Sequence, residues 1–135
     1  MVEVAAVAAI VKIAETLWNA IGKSKEKNLK HRERISDYLE KISKCIQEIA
    51  AKFKQNEIPM AECVRLEQYF HDIDNVLRGT IDDRKIVELK ELAGRATNAR
   101  ALAMAMKGVD QPAEVYRALD EAIGRFTAIA DGLRV

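Results

Sequence analysis

Residues 2–21 read VEVAAVAAIVKIAETLWNAI, a stretch that decides the fold because it is apolar around most of a helix. Its few polar side chains are Glu3, Lys12, Glu15, Thr16 and Asn19. Most of them fall on one narrow stripe by helical spacing, and a helix with so little polar surface must be buried in protein or lipid. We therefore expect the first helix to be the most deeply buried element of a helical protein.

Trp18 is the largest side chain of this helix, one helical turn from Ala14 on the apolar side. The spacing predicts that its indole packs inside the protein. On that expectation, Trp18→Ala would cost about 3–5 kcal/mol of stability.

The composition of the 135 residues is typical of a single helical domain, which we place at residues 1–135. Apolar residues make up 49% of the chain and charged residues 32%, whereas aromatic residues make up only 5%. The net charge of +1 gives no global attraction to nucleic acid or membrane. The charge is unevenly distributed, however, because residues 23–34 are basic and residues 55–83 are acidic. Charge patches are therefore the electrostatic signal.

Four further helical segments follow, with no strand pattern between them. Apolar residues recur at helical spacing over about 25–54, from Pro59 to Leu77, from Thr80 to Gly108, and over 111–131. Thr80 is the predicted N-cap of the fourth helix, and Gly79 suits the C-terminal end of the third. The short junctions favour an all-α, antiparallel up-and-down bundle of four to five helices. The core positions predicted most firmly are Leu39, Ile42, Ile46, Ile49, Phe70, Ile73 and Phe126.

No pattern in the chain predicts a catalytic, cofactor-binding or metal-binding site. The GKS sequence at residues 22–24 lacks the upstream glycine and the strand of a phosphate-binding loop, and His31 and His71 lie on different helices. Cys45 and Cys63 are expected to be free thiols. Because no signal peptide is visible either, we expect a cytoplasmic protein. The lack of a catalytic pattern predicts that it is not an enzyme.

A basic run, GKSKEKNLKHRER, follows the apolar helix directly. Residues 23–34 include six basic and two acidic side chains, which gives a local charge of +4. The run lacks interleaved aromatic residues, so nucleic acid is not an expected partner. The six candidate membrane-contact residues are Lys23, Lys25, Lys27, Lys30, Arg32 and Arg34. The alternative is a helix start whose charges only keep the surface hydrated.

The order of these features resembles one group of cell-death domains. The residues that carry the resemblance are the apolar stretch 4–11, the basic run 23–34 and the apolar seam 35–53, and it spans about residues 2–106. The chain looks like the N-terminal four-helix domain of mixed-lineage kinase domain-like proteins. It is similar also to the HeLo domains of fungal cell-death proteins and to the powdery-mildew-resistance type domains of plant immune receptors.

The resemblance implies a bundle that oligomerises and perturbs membranes in cell death or defence. Anionic phospholipid would be its partner, with peripheral membrane association on activation, and the first helix would be the part released. The candidate releasable residues are Val4, Val7, Ile10, Val11, Leu17 and Trp18. Two alternatives stay open. In one, the first helix is only the central rod of a stable bundle. In the other, the protein is an adaptor that self-associates or binds a protein partner and has no membrane activity.

Overall fold

The computed structural model describes residues 2–22, 29–55, 57, 59–96 and 112–133, and it is an all-α helical bundle, as the sequence predicts. Apart from one isolated bridge between Arg78 and Ile81, the regular structure of these residues is helical. The described helices are α1 (Val2–Gly22), α2 (Leu29–Lys54), α3 (Met60–His71), α4 (Ile73–Leu77), α5 (Asp83–Ala96) and α6 (Pro112–Leu133). The sequence pattern also predicts helix, helix ends or caps at residues 25–28 and 97–111, which lie outside the described residues.

The helices enclose a single core. α2 packs along α6 and against α3 and α4, whereas α1 packs against α5 and α6, and α5 closes the arrangement by packing on α3 and α4. Among the described residues, α1 has a fully buried face that includes Ile10, Ile13 and Leu17, but it also carries exposed side chains such as Trp18. That α1 is the most deeply buried element of the protein stays a prediction.

Two serine side chains of α2 form hydrogen bonds to α6. The Ser36 hydroxyl of α2 donates to the Ala130 carbonyl of α6 at 2.7 Å, and Ser43 lies 2.8 Å from the Thr127 hydroxyl. Residues later in α2 thus meet residues earlier in α6, the register of antiparallel neighbours. The antiparallel order of the whole bundle stays a prediction.

The core is built from the seams that the sequence predicts. All seven of the firmest core positions are buried, and so are the seams of the third and last predicted helices. Each seam repeats apolar residues every three or four positions, so one stripe of every helix turns inward. The seam residues of the last helix, now α6, are Val115, Leu119, Ala122, Phe126 and Ile129.

The predicted third helix is interrupted at Asp72, which separates α3 from α4. The hydroxyl of the buried Tyr38 donates to the Tyr69 carbonyl oxygen at 2.6 Å, and the Asp72 amide donates to the same oxygen at 3.2 Å. A side chain that inserts into the helical hydrogen-bond ladder is a common cause of such a break. The Tyr38 hydroxyl thus occupies the Tyr69 carbonyl oxygen at the point where the helix is interrupted.

The predicted N-cap at Thr80 is also wrong. α5 begins at Asp83, and the Asp82 carboxylate accepts the Arg84 backbone N–H at 3.0 Å, so Asp82 caps the helix. Thr80 instead lies in the turn between α4 and α5, next to Gly79, whose φ of +85° is a conformation that glycine adopts without strain.

Candidate functional site

The buried face of α1 holds part of the predicted releasable helix. Ile10 and Leu17 are fully buried and Val11 is partly buried against the core, whereas the side chains of Val4 and Val7 lie outside the described residues. Ile13 and Ala14 complete a fully buried stripe. This stripe faces α5 and α6, the two helices on which α1 packs.

Trp18 does not pack inside the bundle, which corrects the sequence prediction. Its side chain is 46% exposed. Trp18 lies three and seven residues after Glu15 and Val11, so it shares a stripe with two side chains that are themselves only partly buried. Adjacent Leu17 is directed into the core while Trp18 lies at the edge of the covered arc. Spacing from Ala14 alone did not reveal this, because the arc that is covered depends on where the neighbouring helices sit.

The basic run continues into the first turns of α2. Lys30 and Arg34 are exposed, with no acidic partner among the residues that the structure describes, and Arg32 is partly buried. Lys23, Lys25 and Lys27 lie outside the described residues. Lys30 and Arg34 are four residues apart, so their side chains share one face of the helix.

Lys30 and Arg34 also line a surface groove of about 470 Å³ between α2 and the α3–α4 region. The groove is mixed in charge, because three basic and three acidic side chains line it together with two tyrosines. Its residues are Lys30, Glu33, Arg34, Asp37, Tyr38, Lys41, Tyr69, Asp72 and Val76. No pattern in the sequence indicates this groove. The helical spacing of α2 places its own contributors on one face, but only the packing of α3 and α4 supplies the opposite wall.

His31 anchors the start of α2 to the turn that precedes α5. Its Nε2 lies 3.3 Å from the Val76 carbonyl oxygen and 3.1 Å from the Thr80 hydroxyl. The first turns of α2 are therefore fixed against α4 and the following turn. These contacts of His31 fix the position of the helical turns that carry Lys30 and Arg34.

A second polar cluster joins the other end of α2 to α3. Glu62 is buried, and its carboxylate lies 2.7 Å from the Lys52 ammonium, while its other oxygen has no hydrogen-bond partner among the described residues. Burial acts to raise the pKa of Glu62, but the hydrogen bond from Lys52 and the charges of Lys52 and Arg65 outweigh it and lower that pKa. The acidic third segment is thus more than a hydrated face, because one of its carboxylates is a structural contact.

The two cysteines lie in this cluster and are free and buried, which agrees with their predicted thiol state in the described structure. The Cys45 thiol donates to the Glu62 carbonyl at 3.2 Å. Burial raises the pKa of Cys45 to about 11 and that of Cys63 to about 12. Because the thiolate is the reactive form, these pKa values give both side chains the character of small core residues rather than nucleophiles.

Within the described ranges, the His, Cys, Asp and Glu side chains form no group of three or more that could hold a metal ion. A search of the same ranges found no helix with both the length and the apolar character needed to cross a bilayer. Comparison of the chain with protein-family models, with curated proteins and with solved structures gave no significant match.

Proposed function

We propose that this protein is a membrane-targeting bundle of the cell-death or defence type, which binds anionic membranes, oligomerises and perturbs them. The observation that carries the proposal is the exposure of Lys30 and Arg34 on the anchored start of α2, at the end of a basic run with a charge of +4. Exposed basic side chains without acidic partners are free to meet lipid phosphates. Each contributes about 1 kcal/mol near an anionic surface.

The packing of α1 sets what such binding can achieve in a single copy. Removing Ile10, Ile13 and Leu17 from the core would cost about 5–9 kcal/mol, if each buried side chain is worth about 1.5–3 kcal/mol. Binding of the six basic residues of the run to an anionic membrane would contribute a free energy of about the same size. Repulsion of the two acidic residues by the membrane would reduce that contribution. Headgroup attraction therefore suffices for docking but leaves little to drive release of α1. Oligomerisation would have to supply the remainder, which is consistent with an effector that acts only when clustered.

The direct test measures cosedimentation of the whole chain with vesicles of phosphatidylcholine and phosphatidylserine. The wild-type protein should bind at low salt and dissociate as salt rises, because the Debye length falls to about 8 Å at physiological ionic strength. Reversing both Lys30 and Arg34 to Glu should abolish binding. The matched control reverses Lys44 and Arg117, two exposed residues outside the groove, and should leave most binding intact because it changes the net charge equally.

Binding alone does not establish the effector function, so dye leakage is the second measurement. Fusing the chain to an oligomerising module should cause leakage from anionic vesicles. A clustered protein that neither binds nor permeabilises such vesicles at low salt would contradict the proposal.

The groove favours a second candidate function, an adaptor that binds a protein segment. Its opposite charges and its two tyrosines, Tyr38 and Tyr69, are suited to a polar peptide of mixed charge. Reversal of Asp37 and Asp72 to Lys separates the two functions. If Lys30 and Arg34 contact lipid, this reversal should strengthen vesicle binding. If the variant instead loses the binding of a protein partner while its affinity for vesicles is unchanged, the adaptor function is favoured.

A further inference from the structure

The exposed indole of Trp18 is not explained by the packing of the bundle. It is the only tryptophan of the chain, and it is 46% exposed although α1 is rich in small apolar residues. Its stripe on α1 continues through Glu15 and Val11, both only partly buried, along the edge of the fully buried face. A large amphipathic ring is thus held at the surface by a helix whose other face is fixed in the core.

Trp18 and the exposed basic residues of α2 are close along the chain. It stands one turn before α1 ends at Gly22, and Lys30 stands in the first turn of α2, which begins at Leu29. Six residues join Gly22 to Leu29. The covalent chain therefore limits the separation of the two helix ends to about 25 Å.

We propose that Trp18 is the apolar anchor with which the bundle docks on an anionic membrane, its indole entering the interface while α1 stays packed on α5 and α6. The inference rests on the proposed function and adds to it the residue and the orientation of contact. Tryptophan rings favour the membrane–water interface, where the ring is in an apolar medium and the N–H remains hydrated. The positive charge of the exposed Lys30 and Arg34 complements lipid phosphate, which selects an anionic membrane as the occupant of this surface.

Anchoring by Trp18 differs from membrane entry by a released α1. In the docked form, Ile10 and Leu17 remain in the core and only side chains that are already exposed leave water. The indole would then reach no deeper than the headgroup region and the first part of the acyl chains. Depth therefore distinguishes the two arrangements.

The test uses the intrinsic fluorescence of Trp18 in the whole, unclustered wild-type chain, so no labelling is needed. Vesicles of phosphatidylcholine and phosphatidylserine carry bromine either close to the headgroups or close to the bilayer centre, and cosedimentation is measured on the same samples. We expect the emission to shift to shorter wavelength on binding, and the shallow bromine to quench more strongly than the deep one. Reversal of Lys30 and Arg34 to Glu should remove both signals along with binding.

A matched pair of variants then measures the contribution of the ring. Trp18→Ala should weaken vesicle binding by about tenfold, the order expected when half an indole no longer leaves water. Val64→Ala, which removes a similarly exposed apolar side chain (43%) from α3, should leave the affinity unchanged. Circular dichroism should show that both variants retain the helical fold.

The outcomes separate this inference from the proposed function. Vesicle binding without a change in Trp18 emission, or with unchanged affinity in Trp18→Ala, would overturn the anchor and leave membrane binding standing. Stronger quenching by the deep bromine would also overturn it, because α1 would then have left the bundle. If the wild-type chain does not bind anionic vesicles at all, the proposed function fails and the anchor fails with it.

Discussion

α1 and α2 differ in how their sequences relate to their burial. The apolar seam of α2, which includes Ile42 and Ile46, is buried throughout, and its charged residues face outward. α1 has far more apolar surface, yet Trp18 and Ala8 are exposed. α2 packs against α3, α4 and α6, whereas the main contacts of α1 with the described helices are those with α5 and α6. Burial thus follows the number and position of neighbours, and the apolar content of a helix sets only an upper limit on it.

The largest expected effect tests whether the inner stripe of α1 is as much a part of the core as the seam of α2. Leu17→Ala and Ile46→Ala each remove a fully buried side chain, and each should lower the free energy of unfolding by about 2–5 kcal/mol. Urea unfolding followed by circular dichroism measures both. A cost below about 1 kcal/mol for Leu17→Ala alone would mean that α1 is only loosely attached.

The next effect is one of pH, because an ion pair holds α2 to α3 while the fully buried stripe of α1 is apolar. The folded-state pKa of Glu62 is lowered, so its contribution to stability is present above the ordinary carboxyl value of 4.5 and is lost as pH falls through the lower folded value. Glu62→Gln should therefore be less stable than wild type at pH 7. The difference in unfolding free energy should shrink below pH 4.5, and a difference independent of pH would show that the charge of Glu62 is not what matters.

A smaller effect tests the hydrogen bonds between α2 and α6. Ser36→Ala removes a buried 2.7 Å bond to the Ala130 carbonyl and should cost about 1–2 kcal/mol. Thermal unfolding should show a lower midpoint, with the helical content at low temperature unchanged. Replacement by Thr, which keeps the hydroxyl, should cost less if the bond is the cause; an equal loss for both variants would point to packing instead.

The smallest effect on stability is expected for Trp18→Ala, although the spacing of the sequence predicts a large one. Trp18→Ala should cost about 1 kcal/mol or less, because a partly exposed ring loses little on truncation and alanine favours the helix. The wild-type emission maximum should be that of a partly hydrated indole. A cost of 3 kcal/mol or more would restore the buried position that spacing predicts and would remove the basis for a membrane anchor.

Most of the fold can be predicted from periodicity, as the burial of Leu39, Phe70 and Phe126 confirms. Two local predictions are wrong for a common reason: a polar side chain forms a hydrogen bond to a residue far away in the sequence. Thr80 bonds His31 instead of capping α5, and the Tyr38 hydroxyl takes the Tyr69 carbonyl at the point where α3 breaks. The groove also depends on residues far apart in the sequence. Asp72 and Val76 line it only because the α3–α4 region packs beside α2.

The sequence by itself determined the all-α class and the inward stripes of the helices, because apolar spacing of three and four residues acts within each helix and needs no knowledge of its neighbours. It also determined the basic run and its proximity to the apolar helix, which are properties of the covalent chain. Only the tertiary structure decided that Trp18 faces outward, that Glu62 is buried against Lys52, and that α1 packs against α5 and α6. The physical reason is that coverage of a helix face depends on where other helices lie, and that arrangement is set by the packing of the whole core.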